Sequence, residues 1–462
     1  MKSEFKGRSK ELAKLRGAFQ QEGFVMAAVY GRRGVGKTAL IHRFMQEQHC
    51  RCISFTALER EEGELLSMMT DAVLFGLSPD LVGTVTFPDF RSLFAYVGRQ
   101  AERERIIFFI DEYPNLTRKC PYIPSLLQTV IDTQWQAGNL FFILCGSQMS
   151  FMQDEVLSAS SPLHGRNSLE LKLRPLNYLE TAEFLIGFTC AEKAICYGLS
   201  GGMLRYIRQF DPTRSLEENI IRQFYSEDGF FSEDLIQSVI TDSRQDHALY
   251  STILTAVAAG HTRHREIASF VGTDDVTYPL KVLVSAEILE KSAAIRPRYA
   301  LGDTMLQFWF QYVTRATSSV CAGSGEMYYR SFVACHIQDY MGRVFRNMAK
   351  EYLLLRAGRG RIPALDEVSD CRTGVPAGGQ RPRQIGIDLV GRHWQDILLV
   401  GACSFRKVPI EKEDVESLIG EVSDLSASRP LVCIFSLGGF AEDVPKTDDC
   451  LLIGIEDMYR QM

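Results

Sequence analysis

The chain has 462 residues, of which 46% are hydrophobic and 23% charged, with a formal net charge of −6 and a pI near 5.9. This composition excludes a disordered chain, and the length predicts about three domains. The acidic balance argues against a protein built mainly to coat nucleic acid, although a local basic patch is compatible with that average.

The cysteines and the N-terminal residues indicate the compartment. Twelve cysteines occur without a Cys-x-x-Cys pair, and several, such as Cys145, Cys403 and Cys433, lie in apolar runs, which is typical of reduced, buried thiols. The N-terminus has no apolar signal segment, and no uninterrupted apolar run approaches the roughly 18 residues of a membrane span. We therefore predict a cytoplasmic protein without a membrane segment.

The first predicted element is a helix with Ser9 as its N-cap and with Leu12 and Leu15 beginning an apolar stripe. By itself this pattern is that of a surface helix. Gly7 and Arg8 precede it directly, and they gain a second interpretation from the family resemblance described below.

A glycine-rich loop with the spacing Gly-x4-Gly-Lys-Thr follows an apolar strand predicted from Phe24 to Tyr30 and runs into a helix predicted from Thr38 to Met45. Its glycines let the backbone wrap around a compact anion with its N–H groups pointing inward. Lys37 supplies a charge for the β and γ phosphates, and the hydroxyl of Thr38 a ligand for Mg2+. We predict that ATP is bound by Gly31, Arg32, Arg33, Gly34, Val35, Gly36, Lys37, Thr38 and Ala39.

The second strong signal is an apolar strand from Ile106 that ends in Asp111 and Glu112. Asp111 is expected to hold the magnesium ion and Glu112 to orient the attacking water. A further apolar strand from Leu140 ends before Ser147, which is a candidate sensor of the γ-phosphate; the alternative is a strand that simply terminates there. One more strand at 51–55 and a helix at 93–100 complete this region.

Four segments together resemble the archaeal-type ATPase family, a branch of the STAND P-loop NTPases: DEYPNL at 111–116, GSQ at 146–148, PLHGR at 162–166 and LRPL at 173–176. The resemblance implies that the Gly-Arg-x-x-Glu box at Gly7 and Arg8 folds over the adenine base. It also implies that Arg166 stabilises charge near the γ-phosphate, with a solvated loop arginine as the alternative. The segment GGMLRY at 201–206 resembles the lid segment of this family, with leucine in place of the usual proline at position 204.

Three short helices predicted at 248–259, 263–270 and 276–289, followed by a wing from Arg296 to Leu301, have helix-turn-helix spacing and resemble the winged-helix domain of this family. Asp274 and Asp275 stand where a DNA-binding helix needs cations, and only Lys281 is cationic nearby. An interdomain or protein contact is therefore favoured over DNA, while Arg263, His264 and Arg265 leave DNA contact open.

The C-terminal part resembles the restriction-endonuclease-like domain paired with these ATPases. It is predicted to contain a helix at 340–355, a hairpin of strands at 384–390 and 396–400, and strands at 430–435 and 451–455. Asp388 fills the first acidic position of such nucleases, but Ala402 and Ser404 stand at the Glu-x-Lys positions and Arg346 where a further acid often lies. We predict no nuclease activity, with rescue by Arg406 or Glu411 left open. Basic stretches at 356–361 and 380–383 are either solvated loops or a phosphate-binding surface.

The predicted fold class is α/β: a P-loop NTPase parallel sheet with a helical lid, then a winged helix-turn-helix domain and a restriction-endonuclease-like α/β domain. The predicted boundaries are 1–215, 216–322 and 323–462. The predicted function is an ATP-binding and hydrolysing switch that uses Mg2+, acts on an unidentified protein partner and can form a nucleotide-dependent oligomer. An ATP-dependent DNA-binding or DNA-processing protein is the alternative, and a nucleotide-loaded scaffold with little turnover is the third reading.

Overall fold

The structure is a computed structural model that describes residues 5–231, 247–292, 297–371, 385–425 and 430–460. Arg296, predicted to begin the wing, and the basic stretch at 380–383 lie outside the described residues. The chain divides into two compact units. The first unit comprises Met1–Pro175, Met203–Arg205 and Gln237–Gly302, and the second comprises Leu176–Gly202, Tyr206–Ile236 and Asp303–Met462. The boundaries predicted after residues 215 and 322 stay predictions.

Up to residue 175 the chain alternates between strands and helices. The strands are β1 (Val25–Tyr30), β2 (Arg51–Thr56), β3 (Ile106–Asp111), β4 (Leu140–Gly146) and β5 (Asn167–Lys172). The helices are α1 (Ser9–Phe19), α2 (Lys37–Gln46), α3 (Glu62–Leu77), α4 (Phe90–Ala101), α5 (Tyr113–Lys119), α6 (Ile123–Thr133) and the short α7 (Met149–Phe151), which continues as a π-helical turn, Met152–Leu157. Short 3-10 turns occur at Pro79–Leu81 and Trp135–Ala137.

The five strands form one parallel sheet in the order β2-β3-β4-β1-β5. Strands β1, β3 and β4 are buried along their whole length, which explains why their sequences are continuous apolar runs. Strands β2 and β5 lie at the edges, and exposed residues occur along both of them. The predicted parallel sheet is confirmed.

The next four helices are α8 (Tyr178–Ala182), α9 (Cys190–Ser200), α10 (Leu204–Ile207) and α11 (Leu216–Phe224). Three of them begin with a capping box, in which a side chain accepts the N3 backbone N–H and the N3 glutamate accepts the cap's own N–H. The capping pairs are Asn177 with Glu180, Thr189 with Glu192, and Ser215 with Glu218. Local sequence therefore fixes where these short helices begin.

Three helices and a hairpin follow within the first unit: α12 (His247–Ala258), α13 (His264–Val271), α14 (Thr277–Ser285), β6 (Leu289–Lys291) and β7 (Tyr299–Leu301). The strands β6 and β7 pair antiparallel. Three helices followed by a two-stranded wing are the elements that the helix-turn-helix spacing predicts. Gly272, with φ of +80°, ends α13 and lets the chain turn toward α14.

The second unit contains another five-stranded sheet, built from β8 (Glu367–Asp370), β9 (Leu389–His393), β10 (Asp396–Ser404), β11 (Leu431–Ser436) and β12 (Cys450–Gly454). The order is β12-β11-β10-β9-β8, with β9 antiparallel to both neighbours and β10, β11 and β12 parallel. The helices of this region are α15 (Thr304–Phe308), α16 (Thr317–Cys321), α17 (Gly325–Tyr328), α18 (Ile337–Arg356), α19 (Lys412–Leu425) and α20 (Ile455–Tyr459). Helices α15 and α17 continue as π-helical turns, Trp309–Val313 and Tyr329–Val333, and 3-10 turns follow at Thr314–Ala316 and Ala334–His336.

All twelve cysteines lie in the described part of the chain, and none forms a disulfide. Among the residues that the structure describes, none of the helices combines the length and the apolar composition that crossing a membrane requires.

A buried carboxyl group connects three parts of the second unit. Glu351 of α18 accepts hydrogen bonds from the Tyr197 hydroxyl of α9 at 2.6 Å and from the backbone N–H of Tyr178 at 3.0 Å. The hydroxyl of Tyr178 in turn donates to the carbonyl oxygen of Met458 in α20 at 2.8 Å. Burial raises the pKa of Glu351 to about 7, because the charged form loses its hydration, although the two hydrogen bonds oppose this shift.

This pKa predicts a pH dependence of stability. Because the folded-state pKa lies above the ordinary value of 4.5, the stabilisation from this group decreases as pH rises from 4.5 to about 7. Glu351→Gln stays neutral, so its free energy of unfolding should increase relative to wild type by up to about 3 kcal/mol over that range. Urea denaturation at about pH 5 and about pH 8 measures this difference, with the exposed Glu102→Gln as the control. An equal difference at both pH values would contradict the prediction.

Candidate nucleotide site

The carboxyl ends of parallel strands meet at one edge of the first sheet. The glycine-rich loop leaves β1 after Tyr30, Asp111 ends β3, and Ser147 follows β4, which lies between them. Three sequence-predicted segments that are separated by up to about a hundred residues are therefore neighbours in space. This edge is where open parallel sheets bind ligands.

Backbone conformation shows why the loop needs glycine. Gly31, Gly34 and Gly36 have φ angles of +151°, +85° and +101°, which side chains with a Cβ rarely adopt. At Gly31 a Cβ would lie only 2.3 Å from the carbonyl oxygen of Leu173, whose N–H donates to the carbonyl oxygen of Tyr30 at 2.7 Å. The residue after β5 thus packs directly against the start of the loop, and only glycine fits there.

The loop surrounds the ammonium group of Lys37. Its Nζ donates to the carbonyl oxygens of Gly31 at 2.8 Å and Arg32 at 3.2 Å, and the residue is 5% exposed. Helix α2 begins at Lys37, one residue before the predicted start, with Gly36 as its N-cap. The first-turn N–H groups of a helix have no intrahelical partners, so this end of α2 is suited to an anion. The open curve of the loop and these donors fit a triphosphate.

Thr38 and Asp111 form the pair expected for a magnesium ion. The Thr38 hydroxyl donates to Asp111 Oδ2 at 2.6 Å, and Asp111 Oδ1 accepts the backbone N–H of Glu112 at 3.0 Å. Asp111 is only 4% exposed. A hydroxyl and a carboxylate at this spacing are hard oxygen ligands, which suit Mg2+ bound together with phosphate oxygens.

Glu112 and Ser147 contact each other directly. One carboxylate oxygen of Glu112 accepts the Ser147 hydroxyl at 2.8 Å and the Ser147 backbone N–H at 3.3 Å. Glu112 has a left-handed backbone with φ of +51°, which turns the chain from β3 into α5. The predicted water-orienting acid and the predicted sensor therefore form one hydrogen-bonded pair.

The structure adds residues to which the sequence analysis gave no role. Arg205 donates its backbone N–H to the carbonyl oxygen of Gly34 at 3.2 Å. Its Cβ would lie 3.2 Å from a Cβ placed at Gly34, and the Cδ2 of Leu204 would lie 3.1 Å from one at Gly36. The lid-like motif GGMLRY was the available signal, but the sequence alone did not show that its arginine lies on the loop.

Arg8 connects the N-terminal segment to the loop. Its guanidinium donates to the carbonyl oxygens of Val35 at 3.2 Å and Arg174 at 2.6 Å and pairs with Glu11 at 3.0 Å. Gly7 and Arg8 both have positive φ angles, of 70° and 61°. Helix α1 begins at Ser9 with Arg8 in the cap position, so the prediction of Ser9 as N-cap is wrong by one residue. The predicted contact with adenine stays a prediction.

Arg166 lies away from this site. Asn167 pairs with Met26 near the start of β1, whereas the loop leaves from the opposite end, four residues and roughly 13 Å further along the strand. The Arg166 guanidinium forms a two-bond ion pair with Asp132, at 2.5 and 2.7 Å, and holds the pKa of that carboxyl below its ordinary value. The prediction that Arg166 lies near the γ-phosphate of the same chain is therefore wrong, because parallel strand order puts it at the amino edge.

Cys145 ends the apolar part of β4 close to this site. Burial raises the pKa of its thiol well above the ordinary range, and the charge of Asp111 adds to the effect. The thiol is therefore neutral near pH 7 and contributes packing rather than a nucleophile.

The N-terminal region matches a family described as an ATPase domain predominantly from Archaea, over residues 5–210. Residues 5–210 are therefore similar to the ATPase domains of that family. A relative, the uncharacterized protein MJECL04 of Methanocaldococcus jannaschii, is 26% identical over 368 residues, which cover 78% of this chain and 79% of the relative.

Two solved structures resemble part of this chain. The Walker-type ATPase PABY2304 of Pyrococcus abyssi has a TM-score of 0.52 at 20% identity, covering 67% of this chain and 97% of that one. The ORC2 protein of Aeropyrum pernix, solved as ADPNP-ADP complexes, has a TM-score of 0.40 at 13% identity, covering 70% and 96%. The first of these likenesses supports the P-loop ATPase fold.

Outside the region that matches the family, the predicted acidic position of the second unit is paired with a cation. Asp388 Oδ1 accepts from Arg346 Nη1 at 3.1 Å, and its Oδ2 accepts the backbone N–H of Cys403 at 2.9 Å. Ala402 lies fully buried in an apolar cluster with Val415 and Leu418 of α19. In the described parts of the chain, no group of three or more His, Cys, Asp or Glu side chains is arranged to hold a metal ion.

The first basic stretch has structural partners. Arg356 donates to the carbonyl oxygen of Arg460 at 3.0 Å, and its guanidinium lies 4.6 Å from the ring centroid of Tyr352. Arg361 donates to the carbonyl oxygen of Thr447 at 2.8 Å and also to that of Asp448. These contacts favour a structural role for both arginines over a phosphate-binding one.

The contact between Gly31 and Leu173 generates a prediction for the glycine-rich loop. Gly31→Ala should lower the free energy of unfolding by about 1–3 kcal/mol, because the new Cβ cannot occupy the space beside the Leu173 carbonyl. The distorted loop should also bind ATP at least about tenfold more weakly. Thermal unfolding and titration with a fluorescent ATP analogue measure the two effects.

Gly17→Ala is the matched control, since no atom lies within 4 Å of a Cβ at this helical position. It should leave ATP binding unchanged and stabilise the protein by up to about 1 kcal/mol. Equal behaviour of the two variants would contradict the assignment of Gly31 to the nucleotide site.

Proposed function

We propose that the chain is a Mg-dependent ATP-binding and hydrolysing switch whose nucleotide state repositions the winged-helix and C-terminal domains. The observation that carries the proposal is the meeting of the glycine-rich loop, Asp111, Glu112, Ser147 and the segment 203–205 around one edge of the sheet.

In this proposal the loop and α2 hold ATP. Backbone N–H groups from Gly34 to Ala39 face the phosphates, and Lys37 turns its ammonium from the loop carbonyls to the β and γ phosphates. Thr38 and Asp111 hold the magnesium ion, which neutralises charge on the phosphates when bound. Gly7 and Arg8 place the N-terminal segment beside the base.

Glu112 orients the attacking water, and its contact with Ser147 makes hydrolysis depend on the γ-phosphate. In the structure the Ser147 hydroxyl donates a hydrogen bond to the Glu112 carboxylate. A γ-phosphate is a competing acceptor for that hydroxyl, and its arrival frees one carboxylate oxygen to accept a proton from water. Ser147 thus senses the γ-phosphate, and the Glu112 carboxylate is the base that accepts the proton from water.

Two connections support the coupling to other domains. Met203–Arg205 belongs to the unit of the glycine-rich loop, whereas the chain on either side of it belongs to the second unit. A shift of Arg205 with the loop is passed along the covalent chain to those helices. Within the first unit, the Tyr30 hydroxyl donates to Glu170 of β5, and Lys172 of the same strand pairs with Glu287 next to the wing.

The surface of α14 favours a protein partner over DNA. Asp275 lies just before the helix and accepts the Thr277 N–H at 2.8 Å, and Asp274 precedes it, so negative charge lies at the end that would meet phosphates. Tyr278 is 66% exposed on the same helix, and Phe270 of α13 is 44% exposed. Aromatic side chains with few cations are typical of protein contacts. A nucleotide-dependent oligomer remains part of the proposal.

Glu112→Gln tests the hydrolytic role. Gln cannot accept a proton, so turnover should decrease by at least about a hundredfold, while ATP affinity stays within about threefold of wild type. Phosphate release and equilibrium ATP binding measure the two quantities. Glu102→Gln is the matched control and should behave like wild type; unchanged turnover in Glu112→Gln would refute the role of Glu112.

The same assay distinguishes the switch from a DNA-directed ATPase. Turnover is measured with no DNA and with duplex, branched and single-stranded DNA. Equal turnover rates with and without DNA would support a protein-directed switch. Stimulation by DNA would contradict it and favour the alternative of a DNA-processing protein.

We further propose that the C-terminal domain has a nuclease-like fold without nuclease activity, because Arg346 already neutralises Asp388 and Ala402 contributes no ligand. Purified protein should leave plasmid and linear DNA intact in Mg2+ or Mn2+, alone and with ATP. Metal-dependent cleavage by wild type that disappears in Asp388→Ala would overturn this proposal.

A further inference from the structure

A cavity of about 330 Å³ lies in the second unit, next to the ion pair of Arg346 and Asp388. One wall is formed by α18, and the opposite wall by α15 and the π-helical turn that follows it. The nucleotide switch proposed above uses none of its residues. Its lining residues are Gln307, Gln311, Tyr312, Asp339, Tyr340, Gly342, Arg343, Arg346 and Cys403.

Two cations face this cavity from a single helix. Arg343 and Arg346 are three residues apart on α18, so their side chains are neighbours on one helix surface. Two guanidinium groups on one helix surface can contact the same anion from two sides.

The ion pair with Asp388 leaves further donors on Arg346 for an anion. Arg346 uses Nη1 to contact Asp388, but a guanidinium has five N–H donors and can bind a second anion along another edge. Asp339 lies at the rim with its side chain 82% exposed, where water screens its charge, and it is 3.8 Å from Nδ1 of His336.

The opposite wall carries neutral polar groups and an aromatic ring. Gln307 accepts from Arg343 at 3.2 Å, and Gln311, four residues later, also lines the cavity. The ring of Tyr312 is partly exposed and is stacked with that of His336 at a centroid distance of 6.3 Å. Amide side chains can form hydrogen bonds with donors and acceptors at the edge of a heterocycle, and an aromatic side chain can stack on its face.

We propose that this cavity binds a small phosphomonoester that carries a planar heterocycle, of the size of a nucleoside monophosphate. Arg343 and Arg346 contact the phosphate, Gln307 and Gln311 contact the heterocycle, and Tyr312 stacks on it. The volume is at the small end of the range for ligand sites, about 300–1,000 Å3, and therefore suits a mononucleotide rather than a larger ligand.

Isothermal titration calorimetry on the full chain tests this proposal, with the P-loop saturated by Mg-ADP. The probes are AMP, GMP, CMP and UMP, with ribose 5-phosphate, adenosine and inorganic phosphate as fragments. At least one monophosphate should bind more tightly than every fragment. Arg343→Gln and Arg346→Gln should each weaken that binding by about tenfold or more.

Three further variants locate the site. Gln311→Leu leaves the ion pair of Arg346 intact and should also weaken binding, which keeps the test valid if Arg346→Gln unfolds. Arg330→Gln removes a surface guanidinium of the same unit, which pairs with Glu217 and Glu326, and should bind like wild type. Lys37→Ala should keep the binding, which separates this site from the glycine-rich loop.

Several results would overturn the proposal. They are the absence of binding by all four monophosphates below about 1 mM, equal binding of inorganic phosphate, and wild-type affinity in both Arg343→Gln and Arg346→Gln. Binding of 5′-phosphorylated oligonucleotides without binding of the monophosphates would also overturn it and would indicate a nucleic acid end as the ligand.

Discussion

Parallel pairing of β3, β4 and β1 is the constraint on which the candidate site depends. All three strands end at the same edge of the sheet. The residues at or just after these strand ends, which are the glycine-rich loop, Asp111 and Ser147, therefore lie close together. The short bond between Thr38 and Asp111 and the contact between Ser147 and Glu112 are consequences of that register. The same register explains why Arg166, which precedes β5, is held at the opposite edge by Asp132.

The outer side of the glycine-rich loop is closely packed. Gly31 packs on the Leu173 carbonyl, Arg8 donates to the carbonyls of Val35 and Arg174, and Arg205 lies on Gly34. A ligand can shift a conformational equilibrium only by the difference in its contacts with the two states. A phosphate bound inside this loop would contact a backbone whose other side already packs on Leu173, Arg8 and Arg205. A movement of the loop would therefore change its contacts with these three residues.

In the second unit, a cation lies beside the predicted acidic position. Arg346 satisfies one oxygen of Asp388 and the Cys403 N–H satisfies the other, so the carboxylate is neutralised and hydrogen-bonded. The cavity next to this ion pair is lined by the polar groups that we assign to a ligand. Glu351, buried between α9 and α18, shows that this unit also tolerates an ionisable group in its interior when hydrogen bonds are present.

The sequence by itself determined the elements whose signal is local. The apolar runs of β1, β3 and β4, the glycine spacing before Lys37 and the Asp-Glu strand end predicted the parallel sheet and most of the nucleotide site, because burial and positive φ leave direct marks on residue type. Only the tertiary structure decided the placement of Arg166, the packing of Arg205 on the loop, the pairing of Arg346 with Asp388 and the cavity beside it. Each of these depends on strand order or on helices distant in sequence, and a single arginine carries the same sequence signal whether it binds a phosphate, a carboxylate or a carbonyl oxygen.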